Sequence, residues 1–182
     1  DMEKKFINNE IWLLTRGGAY QRSGIYNPEV SDKLKREFGL SLKEYLDNLI
    51  NSQYQEEISE EKHIENIEGI IDFSLGFDKV LKNGLNFGVS QKLLNLYLKY
   101  HWCLDEIPAP PHFPVDRIIQ EKLKLKVIPW TKMVGIKGRE DYIRIVESAK
   151  EKLKEHKCEH VAELELKLFN RNSETDIMRI MV

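Results

Sequence analysis

Asn83-Gly84-Leu85-Asn86-Phe87-Gly88-Val89-Ser90-Gln91-Lys92 leads directly into Leu93-Leu94-Asn95-Leu96-Tyr97-Leu98-Lys99-Tyr100-His101-Trp102. The first half is glycine-bearing and turn-like, and the second half carries apolar residues at helical spacing. Leu93, Leu96, Tyr97 and Tyr100 fall on one side of such a helix, with Leu94 and Leu98 beside them. A helix from Gln91 to about Trp102, buried on most faces, is therefore expected. A short helix from Phe77 to Leu81 is expected before the turn. Glycine at a tight bend between two helices lets backbone N–H groups come close to an anion.

The rest of the chain also reads as helical. Phe6, Trp12 and Leu13 mark an N-terminal helix ending at Gly17-Gly18, followed by a Gly-, Ser-, Arg- and Tyr-rich loop to Pro28. Ser31 caps a short helix through Phe38 that Gly39 stops, and Ser41 caps a longer one carrying Leu42, Tyr45, Leu46, Leu49 and Ile50. Ser59 opens another, with Ile64, Ile67, Ile70, Ile71 and Phe73 turned inward. Asp105 to Pro114 holds four of the six prolines and is a stiff, non-helical connector. After it, a helix beginning near Pro114 carries Val115, Ile118, Ile119 and Leu123 toward the core. Two further helices cover about Arg139 to His156 and His160 to Phe169. The fold class is all-α, a single helical domain over residues 1–182; short strands within Lys124 to Ile128 remain an alternative.

With 182 residues and 41% hydrophobic content, the chain can bury a real core. No run of 18 apolar residues suggests a membrane span, and the opening Asp1-Met2-Glu3-Lys4-Lys5-Phe6 has no secretory hydrophobic region. Two distant cysteines, Cys103 and Cys158, make neither a disulfide framework nor a zinc or iron-sulfur site. A reducing cytoplasm is the expected compartment. The net charge of −2 argues against a nucleic-acid partner, but its distribution is uneven. Asp78 to Lys157 holds 16 Lys/Arg against 10 Asp/Glu (+6), and the remainder 12 against 20 (−8), together −2. The central segment is basic, which suits either DNA or ordinary solvated helix faces.

Lys92 stands at the start of the central helix, where the positive end of the helix dipole disfavours an ammonium by about 0.3–1 kcal/mol. Burial among Leu93, Leu96 and Tyr97 acts in the same direction. Asp116 follows 24 residues later at the start of another helix, delivered by the proline connector. An amine and a carboxylate converging there suit attack at a sugar C1′, with electrostatic support for developing positive charge.

Gly88-Val89-Ser90-Gln91-Lys92 resembles the hairpin of the helix-hairpin-helix/Gly-Pro-Asp DNA glycosylases, whose usual form is Gly-Val-Gly-X-Lys. Pro114-Val115-Asp116 resembles the segment that gives that superfamily its name. The match covers about Asn83 to Leu123, within a hairpin and active-site segment of about 77–123. The proline-rich link is most similar to that of the archaeal-type 8-oxoguanine glycosylases. Ser90 stands where the second hairpin glycine is usual, and the iron-sulfur cysteines found in some members are absent. The resemblance implies a compact helical glycosylase fold with a helix-hairpin-helix motif. It implies that Lys92 attacks C1′, expels the base and forms a Schiff base, that Asp116 assists, and that strand nicking by β-elimination accompanies excision.

The implied partner is double-stranded DNA with a modified base, an oxidised purine by default or another modified base such as one of phage DNA. No cofactor, metal or membrane is expected, and a monomer is. Gly88, Ser90 and Gln91 are candidate phosphate contacts, as are Arg16 and Arg22 in the glycine-rich loop and Lys122 and Lys124. A flipped base needs planar walls and polar edges, for which Trp102, His112, Phe113 and Trp130 are candidates. Two other readings stay open from sequence: a non-catalytic helix-hairpin-helix DNA-binding module, and a helical protein-interaction domain.

Overall fold

The computed structural model describes residues 1–169 together with Ile177 and Met178. The described residues are all-helical, with no strand beyond a single antiparallel bridge between Tyr26 and Leu81. The α-helices are α1 (Met2–Tyr20), α2 (Asp32–Gln53), α3 (Glu60–Ser74), α4 (Phe87–Cys103), α5 (Arg117–Lys122), α6 (Gly135–Lys150), α7 (Leu153–His156) and α8 (Val161–Leu168). A 3-10 turn, Trp130–Lys132, precedes α6.

α4 is the centre of the architecture. It packs against α1, α3, α6 and the 3-10 turn. Nine consecutive residues, Phe87 to Asn95, are buried, as expected of a helix covered on most faces. One hydrophobic cluster runs from Ile11 on α1 to Leu164 on α8 and includes the buried rings of Phe38, Tyr97 and Tyr142. Two of the three expected serine caps form, at Ser31 and Ser59, while Ser41 lies inside α2. Ser31 Oγ accepts from Leu34 N–H, Ser59 Oγ from Lys62 N–H, and Asp116 Oδ1 from Ile119 N–H.

Several boundaries differ from expectation, each for a packing reason. α1 does not end at Gly17-Gly18 but runs to Tyr20, because Gly18 faces α4; a Cβ there would sit 3.0 Å from Leu96. α2 is one helix through Gly39 and Ser41 rather than two. Gly39 is buried beneath the Arg16 guanidinium, and its missing side chain makes that approach possible. Tertiary contact here overrides the weak helix propensity of glycine. Phe77 to Leu81 forms turns that end in the bridge to Tyr26, not a helix. Residues 124–128 form no strand, and Ile118 is 46% exposed rather than turned to the core.

Gly88 and Gly138 carry the tightest backbone approaches. A Cβ on Gly88 would lie 1.6 Å from the Trp130 carbonyl oxygen, and one on Gly138 would lie 2.4 Å from the Met133 carbonyl carbon. Gly88 N–H donates to Met133 O at 3.0 Å, and Asn86 Nδ2 donates to Thr131 O at 2.8 Å. The glycine thus seats the 3-10 turn directly on the N-terminal turn of α4. Gly88→Ala is expected to destabilise the fold by about 1–3 kcal/mol or more, because backbone must move. Gly17→Ala, with open space around it inside α1, is expected to stabilise by roughly 0.5–1 kcal/mol. Chemical denaturation of the two variants checks both signs.

Candidate active site

Lys92 Nζ lies 2.5 Å from Asp116 Oδ2, with side-chain exposures of 10% and 17%. Each partner is positioned by its own backbone. Lys92 is the sixth residue of α4, one and a half turns in, so the pull of the helix dipole expected from sequence has largely faded there. Asp116 is the N-cap of α5, so one carboxylate oxygen serves the helix and the other faces the amine.

The pair opens onto a cavity of about 770 Å³, within the range of small-molecule sites. Trp130 forms one wall, with Lys92 Nζ 5.5 Å from its ring centroid. Tyr100 and Phe169 add further aromatic surface, and Arg22 sits at the lining. A second ion pair lines the same cavity. Lys99 Nζ lies 3.0 Å from Glu165 Oε1, with exposures of 12% and 5%, and 4.0 Å from the centroid of Phe169. Burial pushes the Glu165 carboxyl up, Lys99 opposes the shift, and the nearby Asp116 charge adds to it. The cavity therefore offers planar walls, two ammonium donors and two carboxylate acceptors.

A buried hydrogen-bond network fixes the segment that carries Asp116. Gln91 Nε2 donates to Val115 O at 2.7 Å, and Val115 N–H donates back to Gln91 Oε1 at 3.0 Å. Asn95 Nδ2 donates to Gln91 Oε1 and to Tyr142 Oη. Asn95 Oδ1 can only accept, so His63 Nε2 is the protonated nitrogen and Nδ1 accepts from Tyr54. By the same logic Tyr142 donates to His112 Nδ1, and His112 Nε2–H donates to Glu60, which also takes Lys150. The chain of bonds runs from Glu60 and Lys150 at the surface to the peptide next to Asp116.

The structure distributes the expected site residues unevenly. Lys92, Asp116, Trp130 and Arg22 line the cavity. Trp102, His112 and Phe113 do not. His112 and Phe113 are 2% and 1% exposed within the core, and Trp102 packs against its edge. His112 is taken up by the network and is no base-facing group.

The expected phosphate contacts at the hairpin are also corrected. Gly88, Ser90 and Gln91 are buried, and the N–H groups of Gly88, Val89 and Ser90 donate to Met133 O, Asn86 Oδ1 and Asn86 O. These backbone donors are thus occupied within the protein, and the Ser90 hydroxyl, which has no hydrogen-bond partner among the described residues, is buried away from the surface. Lys122 and Lys124 are exposed beyond the cavity lining, and Arg16 lines a separate cavity.

Lys99, Glu165 and Phe169 are lining residues that no sequence motif marks, and Tyr100 reads from sequence only as part of the apolar side of α4. Lys99 had a usable signal, standing seven residues after Lys92 on the same helix face. Glu165 reaches the site only through the packing of α8. No group of three His, Cys, Asp or Glu able to hold a metal occurs among the described residues.

His63 is fully enclosed, and burial, with His112 beside it, holds its imidazole at about 3 instead of 6.5. Burial also lowers His112. The unfolded chain binds these protons first as pH falls. Stability is thus fully present above about 6.5 and is lost on the way down toward about 3. Within that window His63 alone contributes a slope of up to about 1.4 kcal/mol per pH unit. Thermal unfolding followed from pH 7 to 4 should show this decline, and His63→Gln should flatten it.

No protein-family model, curated protein or solved structure matches the chain, so the chemistry of the site rests on its own geometry.

Proposed function

We propose that the chain is a DNA glycosylase with associated lyase activity, acting on a modified base turned out of duplex DNA. The observation that carries this reading is the Lys92–Asp116 pair, 2.5 Å apart at the wall of a cavity large enough for a nucleobase. Support also comes from the order Gly88-Val89-Ser90-Gln91-Lys92 then Pro114-Val115-Asp116, which resembles that of the helix-hairpin-helix glycosylases apart from Ser90. The aromatic walls and the Lys99–Glu165 pair suit a planar heterocycle whose edge carries both donors and acceptors.

In this scheme the Lys92 ammonium first loses a proton, and Asp116 is the acceptor within reach. Nζ forms a bond to C1′ as the glycosidic C–N bond breaks, its electrons leaving on the base, which takes up a proton. Sugar ring opening gives a Schiff base between Lys92 and C1′. Loss of a C2′ proton with departure of the 3′ phosphate nicks the strand. Asp116 passes the proton taken from Lys92 on to the departing base, and the regenerated carboxylate supports the positive charge that develops on the sugar.

One observation favours a second reading, a protein-docking domain. Met2, Phe6, Leu13 and Leu14 on α1 are all more than half exposed. That reading expects no DNA binding even at low salt.

Borohydride trapping across oxidised, alkylated, deaminated and abasic duplexes tests the proposal. Wild type is expected to form a covalent adduct stable on a denaturing gel with at least one base. Lys92→Gln should lose it, with base release falling about a thousandfold or more. Asp116→Asn should slow excision about 10²–10⁴-fold. A folded wild type that yields no adduct across the panel removes the proposal.

A further inference from the structure

A second cavity, of about 360 Å³, lies against the last turns of α1 and is walled by Arg16, Tyr20, Tyr26, Asp32, Lys35 and Arg36. Three cations and one carboxylate give this lining a formal charge of +2. None of Arg16, Lys35 and Arg36 has a carboxylate within 4.0 Å among the described residues. Arg16 is half-buried, and its guanidinium lies over Gly39, where any side chain would crowd it: a Cβ would come within 3.1 Å of Nη1. A glycine in the interior of α2 weakens the helix, and here it makes room for an unpaired charge.

The Tyr20 hydroxyl is buried and has no hydrogen-bond partner among the described residues. Its ring packs edge-on to Tyr26 with centroids 6.0 Å apart, and Lys35 Nζ lies 4.9 Å over the Tyr26 ring. Burial raises both phenols, and Arg16 is close enough to oppose the rise in each. A partly desolvated guanidinium without a carboxylate and a buried hydroxyl without a partner are both unfavourable in an empty site. One kind of group satisfies both, an oxyanion that accepts several hydrogen bonds and carries negative charge. Chloride accepts fewer directed bonds, and a carboxylate holds both its oxygens in one plane. A phosphate, even as a singly charged diester, spreads its oxygens tetrahedrally and can meet donors arriving from α1 and α2 together.

We infer that the Arg16–Tyr20–Lys35–Arg36 cavity is a phosphate-binding site. A nucleic-acid backbone is the favoured source, for a positional reason. Arg16 and Tyr20 face this cavity, while Gly18, Gln21 and Arg22 from the same end of the helix line the large one. The two sites flank one helix end, roughly 10 Å across. A strand crossing it can place a nucleotide in one site and a backbone phosphate in the other. Phosphate binding here does not depend on Lys92 being a nucleophile.

Two measurements test it. Inorganic phosphate, compared with chloride at matched ionic strength, should raise the thermal midpoint of wild type by several degrees. The gain should vanish in Arg16→Gln and shrink in Tyr20→Phe, which keeps the ring. Arg36→Gln, on an exposed position, guards against a folding defect and should also shrink it. The second measurement is the salt dependence of binding to a duplex with a stable abasic analogue. The log–log slope should fall by about 0.9 for each phosphate that a variant no longer neutralises.

Stabilisation by phosphate with an unchanged slope would keep the site and assign it to a small phosphate ester. Phosphate binding with no DNA binding would remove the glycosylase reading alone. No stabilisation by phosphate together with an unchanged slope overturns the inference.

Discussion

Both ends of the Gln91 carboxamide are taken up by one residue, through the C=O and N–H of Val115, at 2.7 and 3.0 Å. Gln91 directly precedes Lys92, and Val115 directly precedes Asp116. Two segments 24 residues apart are thereby locked in register, and the amine meets the carboxylate as a consequence. The connector from Asp105 to Pro114 has no helix to hold it. Its end is held instead by buried Phe113 and Val115 and by side-chain hydrogen bonds. Each such bond adds only about 0.5–1.5 kcal/mol, but an orphaned buried partner costs about 1–3 kcal/mol. The network is therefore more effective at excluding other geometries than at stabilising this one.

The same economy of contact explains Trp130. Gly88 has no side chain, so the Trp130 carbonyl can rest on α4, and Gly88 N–H and the Asn86 side chain fasten the 3-10 turn there. The indole then lies over Lys92. The glycine that suggested a phosphate-binding hairpin acts in this structure as a platform for the cavity wall. What the sequence could convey was that something must approach the backbone at Gly88. It could not convey whether that was an anion or another part of the chain.

The all-helical class was legible because apolar spacing is local, and the caps at Ser31, Ser59 and Asp116 are local too. Helix ends marked by glycine were misread at Gly17-Gly18 and Gly39, where contacts with Leu96 and Arg16 outweigh propensity. Lys92 and Asp116 were legible as a pair because their flanking residues form a pattern. His112 stood beside that pattern and looked functional. Its partners, Tyr142 and Glu60, lie 30 and 52 residues away, so its role in the network had no local sign. Glu165 was hidden for the same reason, since only the packing of α8 sets it against Lys99.

The charges inside the large cavity largely cancel, Lys92 against Asp116 and Lys99 against Glu165. A cavity so balanced has little field with which to draw in a polyanion, and the chain as a whole carries −2. Attraction then falls to cations that no carboxylate neutralises. Arg22 at the cavity lining and Arg16, Lys35 and Arg36 across the helix end have no carboxylate within 4.0 Å among the described residues. Arg16 and Arg22 lie at the C-terminal end of α1, where the helix dipole favours positive charge, and Lys35 and Arg36 stand near the start of α2. On the proposed reading, capture and chemistry are thus separated in space: unpaired cations supply long-range attraction, and paired charges supply a site whose groups are neutralised until a ligand displaces one partner from the other.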